Sequence, residues 1–156
     1  MIVVSDTSPL NYLILIGQED LLRKLFGRVI IPQAVFDELR ATGASAKVRY
    51  WSQNPPVWVE IKETDLIPDT ALDVLHAGER EAITLAQELS ADLLLVDDKQ
   101  ARLAAINLGI AITGTLGVLD RAAREGLIDL KAVIEELRKT NFHIAEDLIQ
   151  KLLESE

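Results

Sequence analysis

Two stretches of the chain are apolar without alternation, Ile2-Val3-Val4 and Leu93-Leu94-Leu95-Val96. A strand that is apolar on both faces belongs to a parallel sheet covered by helices on each side. Residues 2–5 and 93–96 are therefore read as central strands, and residues 29–31 and 110–113 as shorter ones. Val57, Val59 and Ile61 alternate with Trp58, Glu60 and Lys62, the period of an edge strand with one more exposed face. Between these runs the apolar positions recur at helical spacing. Ser8 as N-cap and Pro9 at the first helical position open a helix that buries Leu10, Leu13 and Ile14. Further helices are predicted at residues 20–26, 33–41 (stopped by Gly43), 45–53 (broken by Pro55-Pro56), 65–77 and 79–89. The last four are predicted at 99–108 (ended by Gly109), 116–125 (capped by Thr115, stopped by Gly126), about 130–140 and 144–154.

Alternating strands and helices imply one parallel, three-layer α/β domain over residues 1–156, with C-terminal helices from about 130 to 154. The first strand is expected beside the one ending at Val96. Ligands bind such sheets at the carboxyl ends of the strands, near the point where strand order reverses. Asp6 follows the first strand and Asp97-Asp98 the other, so these acids are expected to face one another. Glu38 and Glu79 lie on helices nearby. Crowded carboxylates repel unless a cation or a proton compensates. An all-oxygen cluster suits Mg²⁺ or Mn²⁺, which points to metal-dependent chemistry on phosphate esters.

Composition narrows this picture. The chain is 49% hydrophobic and 26% charged, enough for an ordinary core, and its aromatic content of 4% leaves that core to Leu, Ile, Val and Ala. No apolar run reaches membrane-spanning length, no signal peptide is read, and there is no cysteine for disulfides or thiolate metal sites. A cytoplasmic protein with no membrane partner is the expectation. A net charge of −9 argues against broad, nonspecific nucleic-acid binding but not against a nuclease. Two basic groups stand out, Arg23/Lys24/Arg28 and Arg40/Lys47/Arg49, and both read most simply as solvated faces.

Each acid has a plainer reading. Asp6-Thr7-Ser8 could be only a turn and cap. Glu38, beside the face made by Val35 and Leu39, could be a solvent-facing helix residue. Glu79 and Glu81 could be first-turn carboxylates favoured by the helix dipole, with Glu79 the one aimed toward the sheet. Asp97-Asp98 is harder to dismiss, since capping the following helix needs only one of them. His76 and His143 lack metal-ligand spacing, and Gly114-Thr115-Leu116-Gly117 is too short for a phosphate loop. Arg80, Lys99 and Arg102 lie near the acids as possible phosphate contacts.

Taken in order, Val4-Ser5-Asp6-Thr7-Ser8-Pro9-Leu10, Pro32 to Leu39, Gly78-Glu79-Arg80-Glu81-Ala82-Ile83, Leu95-Val96-Asp97-Asp98 and Thr113 to Leu119 resemble the PIN-domain ribonucleases. The resemblance is to small prokaryotic PIN-like proteins grouped as a domain of unknown function and related to VapC-type toxins. It covers nearly the whole chain. It implies a five-stranded parallel sheet of order 3-2-1-4-5 and a carboxylate site for Mg²⁺ or Mn²⁺. Asp6, Glu38, Glu79 and Asp98 match the four family acids, with Asp97 beside the last. Ser8 matches a hydroxyl often close to the site. Asp6, Glu79, Asp97 and Asp98 are the implied metal ligands. Glu79 stands where Asp is commoner, which keeps the charge and lengthens the arm. The implied reaction is metal-assisted hydrolysis of an RNA phosphodiester.

Two other readings compete: a non-catalytic PIN-like binding or regulatory module, and a phosphoacceptor receiver-like domain, which also places acids at strand ends. As partners, the resemblance implies an RNA substrate, a homodimer and, for a toxin, a small antitoxin. The helix at 20–26 offers Leu21, Leu22, Leu25 and Phe26 as a candidate dimer face.

Overall fold

The structure is a computed structural model and describes residues 1–154. Five parallel strands form one sheet: β1 (Val3–Ser5), β2 (Val29–Pro32), β3 (Val59–Lys62), β4 (Leu93–Leu95) and β5 (Ile112–Thr113). Their order is β3-β2-β1-β4-β5, as expected from the sequence. β1 lies at the centre, pairing Val4 with Ile30 on one side and with Leu94 on the other. The switch point therefore falls between β1 and β4, where consecutive strands depart in opposite directions.

The helices are α1 (Thr7–Leu15), α2 (Asp20–Phe26), α3 (Gln33–Leu39), α4 (Ala46–Gln53), α5 (Ala77–Glu88), α6 (Lys99–Asn107), α7 (Thr115–Arg124), α8 (Leu130–Arg138) and α9 (Glu146–Glu154). Strand alternation divides the core in two. Val3 and Leu95 point into a cluster with Leu10, Leu13, Leu22, Leu119 and Leu137. Val4, Leu94 and Val96 point the other way, onto Ile83, Leu85 and Ala101. With both faces of the central strands covered, a polar site opens to water at the strand ends.

Four expectations need correction. Residues 65–77 do not form a helix; a single 3-10 turn at Thr70–Leu72 replaces it. Pro68 restricts the residue before it and donates no hydrogen bond, and Asp69 caps the short turn by accepting from the Ala71 N–H at 2.8 Å. Helix α5 begins two residues earlier than Glu79, so Gly78 lies inside it. Helix α1 begins at Thr7 with Asp6 in the cap position, so Ser8 is helical and caps nothing. Likewise Thr115 is the first residue of α7 rather than its cap.

The apolar side chains of α2 are used within the chain. Leu21 and Leu22 are buried, and Leu25 and Phe26 pack against the core. The Arg121 guanidinium covers the Phe26 ring at 5.0 Å. Leu25 and Phe26 remain only partly buried there.

Candidate active site

The peptide ladder carries two acids to neighbouring places. The Asp6 N–H donates to the Leu95 carbonyl at 2.9 Å, and the Val96 N–H donates to the Thr113 carbonyl at 2.8 Å. Asp6 and Asp97 thus leave adjacent strands side by side. Helix α3, following β2, brings Glu38 to the same end of the sheet, where Thr7 donates its hydroxyl to the Glu38 carboxylate. Helix α5 brings Glu79 from the opposite layer. Its close approach to α3 depends on Gly78, because a Cβ there would overlap the Glu38 carboxylate.

Four of the five acids are held by the protein donors that follow. Besides Glu38, Glu79 accepts from the His76 N–H at 3.2 Å, which ties it to the start of α5. Asp98 caps α6 by accepting from the Ala101 N–H at 3.0 Å. Asp97 accepts twice from Thr115, from its N–H and from its hydroxyl, each at 2.7 Å. Asp6 differs: its side chain is 3% exposed, and its Oδ1 is buried without a hydrogen-bond partner.

Such a group resists ionisation. Burial pushes the Asp6 carboxyl up to about 7, and the negative fields of Glu79, Glu38 and Asp97 push the same way against a hydrogen bond from the Thr7 N–H. Burial also raises Glu79, with Asp98 and Glu38 adding to it and the His76 N–H opposing it. Asp97 is raised by burial too, opposed by its two Thr115 bonds and by the Arg102 charge. The mutual fields place these carboxylates in one electrostatic neighbourhood.

Among the described residues, no three His, Cys, Asp or Glu side chains converge closely enough to enclose a metal ion as they stand. The donor chemistry still fits a hard divalent cation. The ligands are all carboxylate oxygens, and one of them, Asp6 Oδ1, is buried with nothing to bind. Mg²⁺ commonly keeps several waters and uses only one or two carboxylates, so a closed protein shell is not required. Asp6, Glu79, Asp97 and Asp98 are the residues that would hold it.

Over Glu79, Asp97 and Asp98 lies a cleft of about 610 Å³ whose walls also include Ser8 and Arg102, while Asp6 and Glu38 do not line it. Its far wall is the segment leading into α9. The Tyr12 hydroxyl donates to Asn141 Oδ1 at 2.9 Å, and the Tyr12 ring meets Phe142 edge-on at 4.8 Å. Ser8 therefore does border the site, although Thr7 is the neighbour that bonds an acid. Of the basic residues singled out near the acids, Arg102 enters the cleft, while Arg80 donates to the Leu75 carbonyl at 3.3 Å. Glu81 accepts from the Ala34 N–H at 3.2 Å and serves the start of α3.

Sequence reading missed Thr7, Gly78, Thr115 and Asn141. Thr7 and Thr115 carried a faint signal, a hydroxyl next to an acid and next to a strand end, which is also the signal of an ordinary cap. Asn141 carried none.

A family model described as a PIN domain matches residues 2–156. Among solved structures, a PilT N-terminus domain protein from the hyperthermophilic archaeon Sulfolobus solfataricus P2 is similar in fold, with a TM-score of 0.53 and 18% identity. The match covers 93% of this chain and 100% of that one. No curated protein matches the chain significantly in sequence.

Proposed function

The chain belongs to the PIN-domain family, commonly a nuclease fold, and on that premise we propose that it is an Mg²⁺- or Mn²⁺-dependent ribonuclease that hydrolyses RNA phosphodiester bonds. The observation that carries this reading is Asp6. A carboxyl buried at the end of the central strand, with an orphaned oxygen and three neighbouring acids, is destabilised as it stands and compensated by a cation. A bound divalent ion supplies Lewis acidity to a phosphoryl oxygen and to an attacking water. Asp6 must release its proton to serve as an anionic ligand, so protons and cations compete for it. Thr115 holds Asp97 and the α6 N-terminus holds Asp98, so both acids are oriented before any ligand arrives. Arg102 offers a guanidinium to phosphate in the same cleft. A role as the toxin of a toxin–antitoxin pair, working in the cytoplasm as a homodimer that a small antitoxin binds, is part of the proposal.

The second reading, a non-catalytic module, draws on the four acids already engaged by protein donors. The receiver-like reading is set aside by topology, since receiver sheets run 2-1-3-4-5 and this one runs 3-2-1-4-5. Incubating the purified protein with single-stranded RNA in Mn²⁺, in Mg²⁺ and in chelator separates the remaining two. Cleavage confined to the metal-containing samples supports the nuclease; intact RNA in all of them supports the module.

A further inference from the structure

Residues 39–59 contain Arg40, Lys47 and Arg49 and not one Asp or Glu, within a chain of net charge −9. The structure folds part of this segment into a cleft of about 660 Å³ between α3 and α4, bordered by Phe36, Arg40, Arg49, Tyr50 and Gln53. Arg40 lies over the Phe36 ring at 4.7 Å and is oriented further by Asp37 at 2.8 Å. The Arg49 Nε is buried and has no hydrogen-bond partner. Tyr50, in contrast, is left 77% exposed beside these cations.

An arginine donor taken from water without a protein acceptor costs stability unless an anion reaches it. Phosphate matches the planar guanidinium's fork, and an exposed aromatic ring next to it offers a stacking surface for a base. We infer that the α3–α4 cleft binds single-stranded RNA, with Arg49 and Arg40 on the phosphates and Tyr50 under a base. This rests on the ribonuclease reading and extends it to substrate capture. Helix α3 links the two places: Glu38 points into the acidic site, and Arg40, two residues on, borders the cleft. The arrangement also reconciles an acidic chain with an anionic substrate, since Arg40, Lys47 and Arg49 gather here and Asp37 pairs with Arg40.

The test is binding of a fluorescein-labelled oligouridylate of about twelve residues, within the usual span of single-strand sites, read by anisotropy in chelator so that no cleavage occurs. Arg49→Gln and Tyr50→Ala are each expected to weaken binding about tenfold or more. Arg49→Gln should also flatten the dependence of log K on log salt by about 0.7, the value of one single-strand phosphate contact. Tyr50 is exposed, so its variant keeps the fold whatever Arg49→Gln does. Variants that bind like the parent, with the same salt slope, overturn the inference even if the protein cleaves RNA. Tighter binding of an oligoglutamate peptide than of oligouridylate also overturns it, marking the cleft as a site for acidic polypeptide. If the parent binds RNA through these residues but never cleaves it with metal, the inference stands and the ribonuclease reading fails.

Discussion

Thr115 gives both of its donors to Asp97, the backbone N–H to Oδ1 and the hydroxyl to Oδ2, each at 2.7 Å. The pair spans the gap between the ends of β4 and β5 and aims the Asp97 carboxylate. Gly114 makes the approach possible, since a Cβ there would lie 2.6 Å from Asp97 Oδ1 and 3.2 Å from the Val96 carbonyl oxygen. Thr115→Val keeps the N–H bond and removes the hydroxyl bond to a half-buried carboxylate. The expected loss is about 1.5–3 kcal/mol in urea unfolding, together with weaker Mn²⁺ binding by calorimetry. Thr115→Ser should restore most of both. A valine variant as stable as the parent would show that the hydroxyl contributes nothing.

Gly78 sets the distance between α3 and α5. Alanine is the better helix former by about 1 kcal/mol, but its methyl would displace the Glu38 carboxylate from Thr7. A displacement of about 1 Å can cost a reaction on the order of a hundredfold. Gly78→Ala should therefore lose most RNA cleavage while its melting temperature stays close to that of the parent. Parental rates would mean that Glu38 has no part in the reaction.

The raised Asp6 carboxyl fixes the sign of a pH effect in the metal-free protein. Its ordinary value is 3.8 and its folded value about 7. Between these limits the folded state binds more protons than the unfolded state, so stability falls as pH rises through the window. Below 3.8 the contribution is fully present, and above about 7 it is lost. Glu79 and Asp97 are raised as well and act in the same direction. Asp6→Asn removes the largest part of this dependence. Chelator-treated Asp6→Asn should be more stable than the parent at pH above about 7, by a few kcal/mol on the scale of ~1.4 per unit. Parent and variant curves that run parallel across the window would contradict the burial of an ionisable Asp6.

The sheet and its acids are legible in the sequence for a physical reason. A doubly apolar run such as Leu93 to Val96 admits few readings, and an acid straight after it has only the strand end to occupy. The order of the five motifs then supplies strand order through the family resemblance. Contacts made across the fold are not legible in this way. Thr115 is 18 residues from Asp97, and Thr7 is 31 from Glu38. A hydroxyl beside a helix start looks the same whether it caps that helix or reaches another strand. Residues 65–77 read as a helix, yet Leu66, Ile67 and Val74 within them are exposed, and Pro68 stops the helix. The Arg121 guanidinium over the Phe26 ring is likewise a tertiary contact with no sequence signal.

Asp98 has two duties that substitution can separate. It caps α6 and belongs to the candidate metal site. Asparagine is as good an N-cap as aspartate, so Asp98→Asn removes the charge and keeps the cap. Mn²⁺ at one hundred times its Kd should stabilise the parent by about 2.7 kcal/mol, visible as a rise in melting temperature. The rise should be clearly smaller in Asp98→Asn at the same concentration. An equal rise in the two proteins would remove Asp98 from the site.

The most direct measurement compares RNA cleavage by the parent and by Asp6→Asn, both purified and assayed with and without Mn²⁺. Asparagine preserves the size of the side chain and relieves the repulsion among the acids, so the fold should remain intact by circular dichroism. The expected result is metal-dependent cleavage by the parent and its loss in the folded variant. Metal-dependent cleavage at the parental rate by Asp6→Asn would contradict the assignment of the site.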